Sequence, residues 1–263
     1  MGKINLKISL FLAALCFIAG FFAVPYQLQM LQDLMPEKYE DMLATMPLPM
    51  VGLQIIASLQ LFIVSFVLSL IGIKLARKTG FSLNILDSIV SKAKIKVNKK
   101  SIILSIISGI GLGFVLMSYD RFYFQYQNPM IAEHHPEFSF IALIAGVFYG
   151  GVFEEILLRL FLMSLTVWLF MKIFKLTKES VSSKYYWIAI VFTSLMFAIG
   201  HFPATQMAFG ELTTDLIIRG LFLNSIGGLV FGYLYWKKGL EFAILAHMFT
   251  HISMQLFFIP IFY

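Results

Sequence analysis

The stretch Gly150-Gly151-Val152-Phe153-Glu154-Glu155-Ile156-Leu157-Leu158-Arg159 places two adjacent carboxylates and an arginine inside a long apolar run. The run extends from about Phe138 to Phe170 and is otherwise apolar enough to cross a membrane. Ionised side chains at membrane depth are unfavourable, by roughly 2.5–3.5 kcal/mol each on insertion scales, and they usually mark functional sites. The stretch therefore predicts a membrane-spanning helix that carries a functional site.

The composition of the whole chain agrees with a membrane protein. Of its 263 residues, 59% are hydrophobic and only 13% are charged, and the mean hydropathy is +0.85. These values argue against an ordinary soluble domain. A single cysteine, Cys16, excludes an internal disulfide and offers no thiolate cluster for a metal.

Windows of about 20 apolar residues predict the transmembrane helices. They lie at roughly Ile8–Val24, Val51–Ile73, Ile102–Met117, Phe138–Phe170, Tyr185–His201, Leu216–Trp236 and Leu240–Ile261. We therefore predict an all-α fold, a polytopic membrane bundle of seven to eight helices. The first window follows two lysines as a signal peptide does, but it lacks an A-x-A-like cleavage site, so we expect an uncleaved anchor.

Charges on the connecting segments predict the orientation, because Lys and Arg collect on the cytoplasmic side of a membrane. Residues 26–50 carry one lysine against four carboxylates, whereas residues 74–100 carry eight basic residues against one aspartate. The sign of the net charge keeps alternating along the chain. We expect a multi-pass protein of the cell membrane, with its N-terminus in the cytoplasm and its C-terminus outside.

The same charges explain the pI of 9.3, so the expected partner is the lipid bilayer and not a nucleic acid. Most of the positive charge lies in the second cytoplasmic segment. Residues 85–100 combine apolar residues with lysines, and they are expected either to lie on an anionic lipid surface or to form a solvated loop.

Ionisable side chains within the predicted spans form a candidate site. Histidines lie at positions 201, 247 and 251, and the last two share one face of the final helix because they are four residues apart. A carboxylate and an imidazole in a water-filled pocket can deprotonate a water molecule and later protonate a leaving amine, while further donors stabilise an oxyanion. The chemistry that this set favours is hydrolysis. Its members are Glu154, Glu155, His201, His247 and His251.

Spacing separates supporting residues from catalytic ones. Glu155 and Arg159 lie four residues apart, which predicts a structural ion pair and leaves Glu154 free to face a substrate. Asp215 and Arg219 have the same spacing and are also predicted to be structural.

Small and polar residues predict how the helices pack. The pairs Gly146/Gly150 and Gly228/Gly232 are each four residues apart, as expected where two membrane helices approach closely. Asn224, in the middle of the sixth helix, is expected either to orient a catalytic side chain or to bridge two helices.

Three motifs together resemble the CPBP family, the CAAX proteases and bacteriocin-processing enzymes also called Abi proteins. They are Glu154-Glu155-x-x-x-Arg159, Phe197-x-x-x-His201, and His247 with a polar residue four positions later. The resemblance covers about residues 140–255, so we expect residues 138–263 to form the catalytic helical core. Residues 1–137 then supply N-terminal helices and the basic cytoplasmic segment of one membrane domain.

The resemblance implies an intramembrane endopeptidase of the glutamic type. Its substrate is a membrane-associated peptide or protein, with or without an attached lipid, and no cofactor is needed. By this resemblance Glu154 activates the water, His201 assists it, and His247 and His251 hold the oxyanion.

The residue at 251 departs from the family pattern, which usually has Asn or Asp there. Histidine creates a His-x-x-x-His pair, a spacing used for zinc. A zinc-dependent protease with His201, His247, His251 and Glu154 as ligands is therefore an alternative. A non-catalytic membrane scaffold or immunity protein is a second one.

The depth of the histidines is a difficulty for any shared site. At a rise of 1.5 Å per residue, His201 lies about 24 Å from Tyr185 at the inner end of its helix. His247 lies only about 10 Å from Leu240. A tilted helix, or one that ends within a water-filled cavity, is needed to bring the two side chains level.

Overall fold

The computed structural model of the protein describes residues 2–95, 97–132 and 135–263. Within them seven helices are long and apolar enough to cross a membrane. The predicted all-α membrane bundle is therefore confirmed. The helices are α1 (Gly2–Leu34), α2 (Met50–Thr79), α3 (Lys99–Gln127), α4 (Phe140–Ile173), α5 (Ser183–Phe209), α6 (Thr214–Lys237) and α7 (Leu240–Phe262).

The helices extend past the apolar windows, because backbone hydrogen bonding continues into the more polar interfacial residues. α1 has 33 residues and α4 has 34. α3 continues to Gln127 and so contains Asp120 and Arg121, which lie beyond the predicted window Ile102–Met117. Because of this extension Asp120, which lies outside the predicted windows, becomes a partner for Arg219.

All seven helices contribute to one buried core. α1 packs along α2, where a Cβ on Gly20 would lie 2.5 Å from Ser58 Cα. α2 packs on α4, where a Cβ on Gly72 would lie 2.8 Å from Leu160 Cγ. Core residues taken from the successive helices are Ile8, Ile73, Leu112, Leu160, Ile190, Phe231 and Ala246.

The close helix approaches predicted from the glycine pairs are confirmed. α6 lies against α5, where a Cβ on Gly228 would lie 2.6 Å from Ser194 Cβ and one on Gly232 would lie 3.0 Å from Ile190 Cγ2. α4 lies against α7 in the same way through Gly146. These contacts bring the helices that carry the candidate residues together.

The basic segment after α2 contains the short helix Asn84–Ser91, which is attached to the bundle. Arg77 forms hydrogen bonds of 3.1 and 2.6 Å to the two carboxylate oxygens of Asp87. Glu241 at the start of α7 accepts hydrogen bonds of 2.8 and 2.9 Å from the backbone N of Ile85 and Leu86. Because a carboxylate stabilises a helix N-terminus, this part of the segment is held by protein contacts rather than by solvent or lipid alone.

α4 departs from regular α-helix geometry where it carries its charges. Gly146–Glu154 and Ile156–Met163 follow π-helical hydrogen bonding. Such geometry is rare and often occurs at functional sites. The hydrophobic pattern does not indicate this geometry.

Candidate active site

Glu154 lies between two histidines from different helices. Its Oε1 is 3.9 Å from His201 Nε2, and its Oε2 is 3.8 Å from His247 Nε2. The Glu154 side chain is 15% exposed. Both separations exceed direct hydrogen-bond length, so neither histidine occupies the lone pairs of the carboxylate.

His201 lies at a break in α5, and its imidazole approaches the same carboxylate as that of His247. The helix consists of Ser183–Gly200 and Phe202–Phe209, which meet at His201. His201 Nδ1 lies 2.8 Å from the carbonyl oxygen of Phe197, four residues back, so the imidazole turns towards the start of its helix. The carbonyl can only accept, and therefore Nδ1 carries the proton and Nε2 presents a lone pair to Glu154 in the neutral ring.

Glu155 is fully buried. Its Oε1 accepts a hydrogen bond of 2.9 Å from His247 Nδ1 and lies 3.4 Å from Arg159 Nη1. The predicted pair with Arg159 is therefore present. The contact with His247 was not predicted. Through this contact Glu155 also fixes the orientation of the His247 imidazole.

Arg159 is also fully buried. Its Nη2 donates to Gly228 O at 3.2 Å, and its guanidinium carbon lies 5.1 Å from the ring centre of Phe197 and 5.5 Å from that of Phe231. Within the described residues, Glu155 Oε2 and Arg159 Nε and Nη1 have no hydrogen-bond partner. The guanidinium is thus stabilised partly by aromatic faces and incompletely by hydrogen bonds.

The imidazole of His247 is held between two rings. Phe231 stacks on it with ring centres 4.2 Å apart, and His251 stacks with centres 5.1 Å apart. His251 in turn lies against Gly146 and Gly150 of α4, where a Cβ on Gly146 would be 2.6 Å from His251 Nδ1. Glycines therefore provide the room for an imidazole at the position where this sequence departs from the family pattern.

One predicted supporting pair is wrong. Arg219 forms a two-pronged ion pair with Asp120, with Nε to Oδ1 at 2.5 Å and Nη2 to Oδ2 at 2.7 Å, instead of pairing with Asp215. Asn224 donates to Gly220 O of its own helix at 2.9 Å. That local bond is neither a bridge between helices nor a contact with a catalytic side chain.

The alternative zinc site would use side chains that the structure brings close together around Glu154. In the part of the chain that the structure describes, no group of three His, Cys, Asp or Glu side chains is arranged to hold a metal ion. His201 Nδ1 and His247 Nδ1 are engaged by Phe197 O and Glu155. Each Nε2 therefore remains available on the side of Glu154, and because zinc-binding histidines commonly hold their other ring nitrogen in this way, zinc stays an alternative to be tested.

Sequence reasoning missed two tyrosines beside the site. Tyr26 of α1 and Tyr149 of α4 both interact electrostatically with Glu154. Tyr149 lies five residues before Glu154, which is the spacing joined by a π-helical hydrogen bond. Tyr26 had no such signal, because α1 lies outside the region that carries the motifs.

Comparison with known proteins identifies the region that holds these side chains. Residues 136–253 match the family described as Rce1-like, type II CAAX prenyl endopeptidase. The matched region begins before α4, ends within α7 and includes Glu154, His201, His247 and His251. No curated protein and no solved structure gives a significant match. Residues 136–253 are thus similar to the Rce1-like CAAX prenyl endopeptidases over a little under half of the chain, and this similarity together with the seven apolar helices supports a multi-pass intramembrane peptidase.

Proposed function

We propose that the protein is a glutamic-type intramembrane endopeptidase that hydrolyses a peptide bond through water activated by Glu154. The observation that carries this proposal is the position of the Glu154 carboxylate, 3.9 Å from His201 Nε2 and 3.8 Å from His247 Nε2. A carboxylate that is partly exposed and not hydrogen-bonded to either imidazole retains the lone pairs that a general base needs.

In the first step Glu154 takes a proton from water, and the resulting hydroxide attacks the carbonyl carbon of the scissile bond. His201 assists Glu154 in activating the water. Because its Nδ1 donates a hydrogen bond to Phe197 O, the lone pair of its Nε2 points towards Glu154. The proton taken from water is later delivered to the leaving amine as the carbon–nitrogen bond breaks. The products are a carboxylic acid and an amine.

The tetrahedral intermediate needs donors for its oxyanion. The proton on His247 Nδ1 is used in the hydrogen bond to Glu155, so Nε2 can donate only when the ring is doubly protonated. Carboxylate oxygens lie 2.9 Å from Nδ1 and 3.8 Å from Nε2 of this ring. His251, stacked on His247, supplies the second donor.

The substrate class follows from the family description, which names prenyl endopeptidases. We propose a membrane-associated protein or peptide with a prenylated C-terminus. The charge distribution supports an N-terminus in the cytoplasm and a C-terminus outside. We also propose that residues 138–263 form the catalytic core, with the earlier helices completing one membrane domain.

The test of the base is Glu154→Gln in purified protein reconstituted in liposomes. Cleavage of a C-terminally prenylated peptide should fall by about 10²–10⁴-fold, as is typical of lost acid–base catalysis, with the melting temperature unchanged. Glu211→Gln, at an exposed position, is the control and should retain full activity. Near-normal turnover of Glu154→Gln contradicts the proposal. So does a parent protein that binds the peptide without cleaving it, which would support the scaffold alternative.

The zinc alternative is tested at His251. A residue that only donates to the oxyanion can be replaced by an amide, so His251→Asn should retain substantial activity, and exhaustive chelation of the parent should leave cleavage intact. Stoichiometric zinc in the parent by elemental analysis, lost together with activity in His251→Asn, would overturn the glutamic mechanism.

A further inference from the structure

An open cleft of about 610 Å³ lies where α2 and α4 end. Its walls come from the last turn of α2 and from the last two turns of α4 with the residues that follow. It lies apart from the candidate active site, and none of its lining residues is acidic. The lining residues are Lys78, Trp168, Met171, Lys172, Lys175 and Leu176.

The three lysines of this cleft carry positive charge that no carboxylate neutralises. Within the ranges that the structure describes, none of them forms a salt bridge. Asp87, the one acidic residue of the segment that follows α2, is bound by Arg77. Helix C-termini favour nearby cations, but three like charges around one cleft repel each other unless an anion lies between them.

Lys175 has a backbone conformation that is unusual for a lysine. Its φ is 51°, in the left-handed region that glycine adopts most easily. Leu176 N donates to Met171 O at 2.8 Å and Lys175 N to Lys172 O at 3.4 Å, which closes the end of α4 in the usual C-terminal motif. Glycine is the common residue there, so a lysine is retained at a conformational cost.

The apolar surroundings of the cleft indicate where the anion comes from. Lys172 Nζ lies 5.7 Å from the centre of the Trp168 ring, and tryptophan is typical of the membrane interface. Ile173 and Phe174, beside the cleft, are 68% and 53% exposed and so face acyl chains in a bilayer. The cleft thus opens where lipid headgroups meet acyl chains.

We propose that this cleft binds the headgroup phosphate of an anionic phospholipid. Lys78, Lys172 and Lys175 contact the phosphate oxygens, and the acyl chains lie along Ile173 and Phe174. Basic pockets between membrane helices are a recognised type of lipid headgroup site. A free phosphate offers the same oxygens without the acyl chains, so the experiment must separate these two sources.

The experiment compares lipid retention by native mass spectrometry after purification in phosphatidylglycerol or phosphatidylcholine. The parent should retain phosphatidylglycerol selectively, and Lys175→Gly should reduce retention about fivefold, the effect of one lysine near an anionic surface. Glycine fits the backbone at 175, so the melting temperature in neutral detergent should stay equal or rise. Lys172→Gln, at an exposed position, is a second variant and should show the same loss.

The matched control is Lys92→Gly. Lys92 also ends a short helix with a positive φ, of 55°, and it lies outside the lining of the cleft. It should retain the lipid as the parent does. Equal loss in Lys92→Gly would mean general attraction to the surface and would overturn the proposal, as would unchanged retention in Lys175→Gly and Lys172→Gln. Displacement of the lipid by millimolar inorganic phosphate would reassign the cleft to a soluble anion.

Discussion

Two arginine–carboxylate pairs within the bundle differ in geometry. Asp120 and Arg219 meet in a two-pronged pair of 2.5 and 2.7 Å, and their side chains are 14% and 18% exposed. Glu155 and Arg159 meet through one contact of 3.4 Å, and neither side chain is exposed. The pair in the dry interior therefore has the poorer geometry.

This difference separates a structural ion pair from a functional one. A fork-shaped pair satisfies both charged groups, so Asp120 and Arg219 need no other partner. A buried pair repays its desolvation only with excellent geometry, which Glu155 and Arg159 lack, but Glu155 also forms a hydrogen bond with His247 Nδ1. We infer that the second pair is kept because it positions the imidazole.

The largest effect is expected for a substitution of Arg159, which tests this inference. Arg159→Ala leaves the Glu155 charge buried without compensation, a loss of about 3–5 kcal/mol in comparable pairs. Folded yield and melting temperature should fall together with activity. A double variant, Glu155→Gln with Arg159→Met, removes both charges and should recover stability in a thermal melt. It should not recover peptidase activity, because His247 loses its carboxylate. Normal melting of Arg159→Ala would contradict a buried charge pair.

The sequence predicted the parts of this comparison that depend on local spacing and hydropathy. Apolar windows found all seven helices, and the i,i+4 spacing found Glu155–Arg159. Glycines four residues apart predicted the close contacts of α4 with α7 and of α5 with α6. Each of these features depends on residues that lie close together in one helix or on one face of it.

The remaining contacts join residues far apart in the chain, which spacing cannot reveal. The i,i+4 spacing predicted that Arg219 pairs with Asp215. Because α3 extends beyond its predicted window, Asp120 lies close enough to form the ion pair instead. His247 and Glu155 are separated by 92 residues. His201 reaches Glu154 at a helix break and with its imidazole turned back towards Phe197, and neither feature is visible in the spacing of the motifs.

An intermediate effect is expected where α4 makes room for His251. A Cβ on Gly150 would lie 3.0 Å from His251 Cδ2 and 3.3 Å from His247 Nε2. Gly150→Ala should therefore destabilise the protein by about 1–3 kcal/mol, the usual cost of overpacking, and reduce activity by displacing both imidazoles.

The rescue experiment removes the atoms that collide. Adding His251→Asn to Gly150→Ala eliminates the distal ring atoms, so the double variant should be more stable and more active than Gly150→Ala alone. Gly111→Ala is the control, because a Cβ there meets nothing within 4 Å. If the double variant is no better than the single one, crowding of His251 is not what Gly150 prevents.

The smallest effect is expected at the structural pair. Arg219→Lys keeps the charge but loses the planar fork that reaches both oxygens of Asp120. Partial exposure of the pair limits the loss of stability to about 1 kcal/mol, a shift of a few degrees in melting temperature. Peptidase activity measured below that temperature should stay unchanged, because the pair does not contact Glu154 or His247.

Asp215→Asn removes the partner suggested by spacing and should leave the melting temperature unaltered. A larger shift for Asp215→Asn than for Arg219→Lys would mean that Asp120 is not the partner that matters, and loss of activity in Arg219→Lys would give both pairs a functional role.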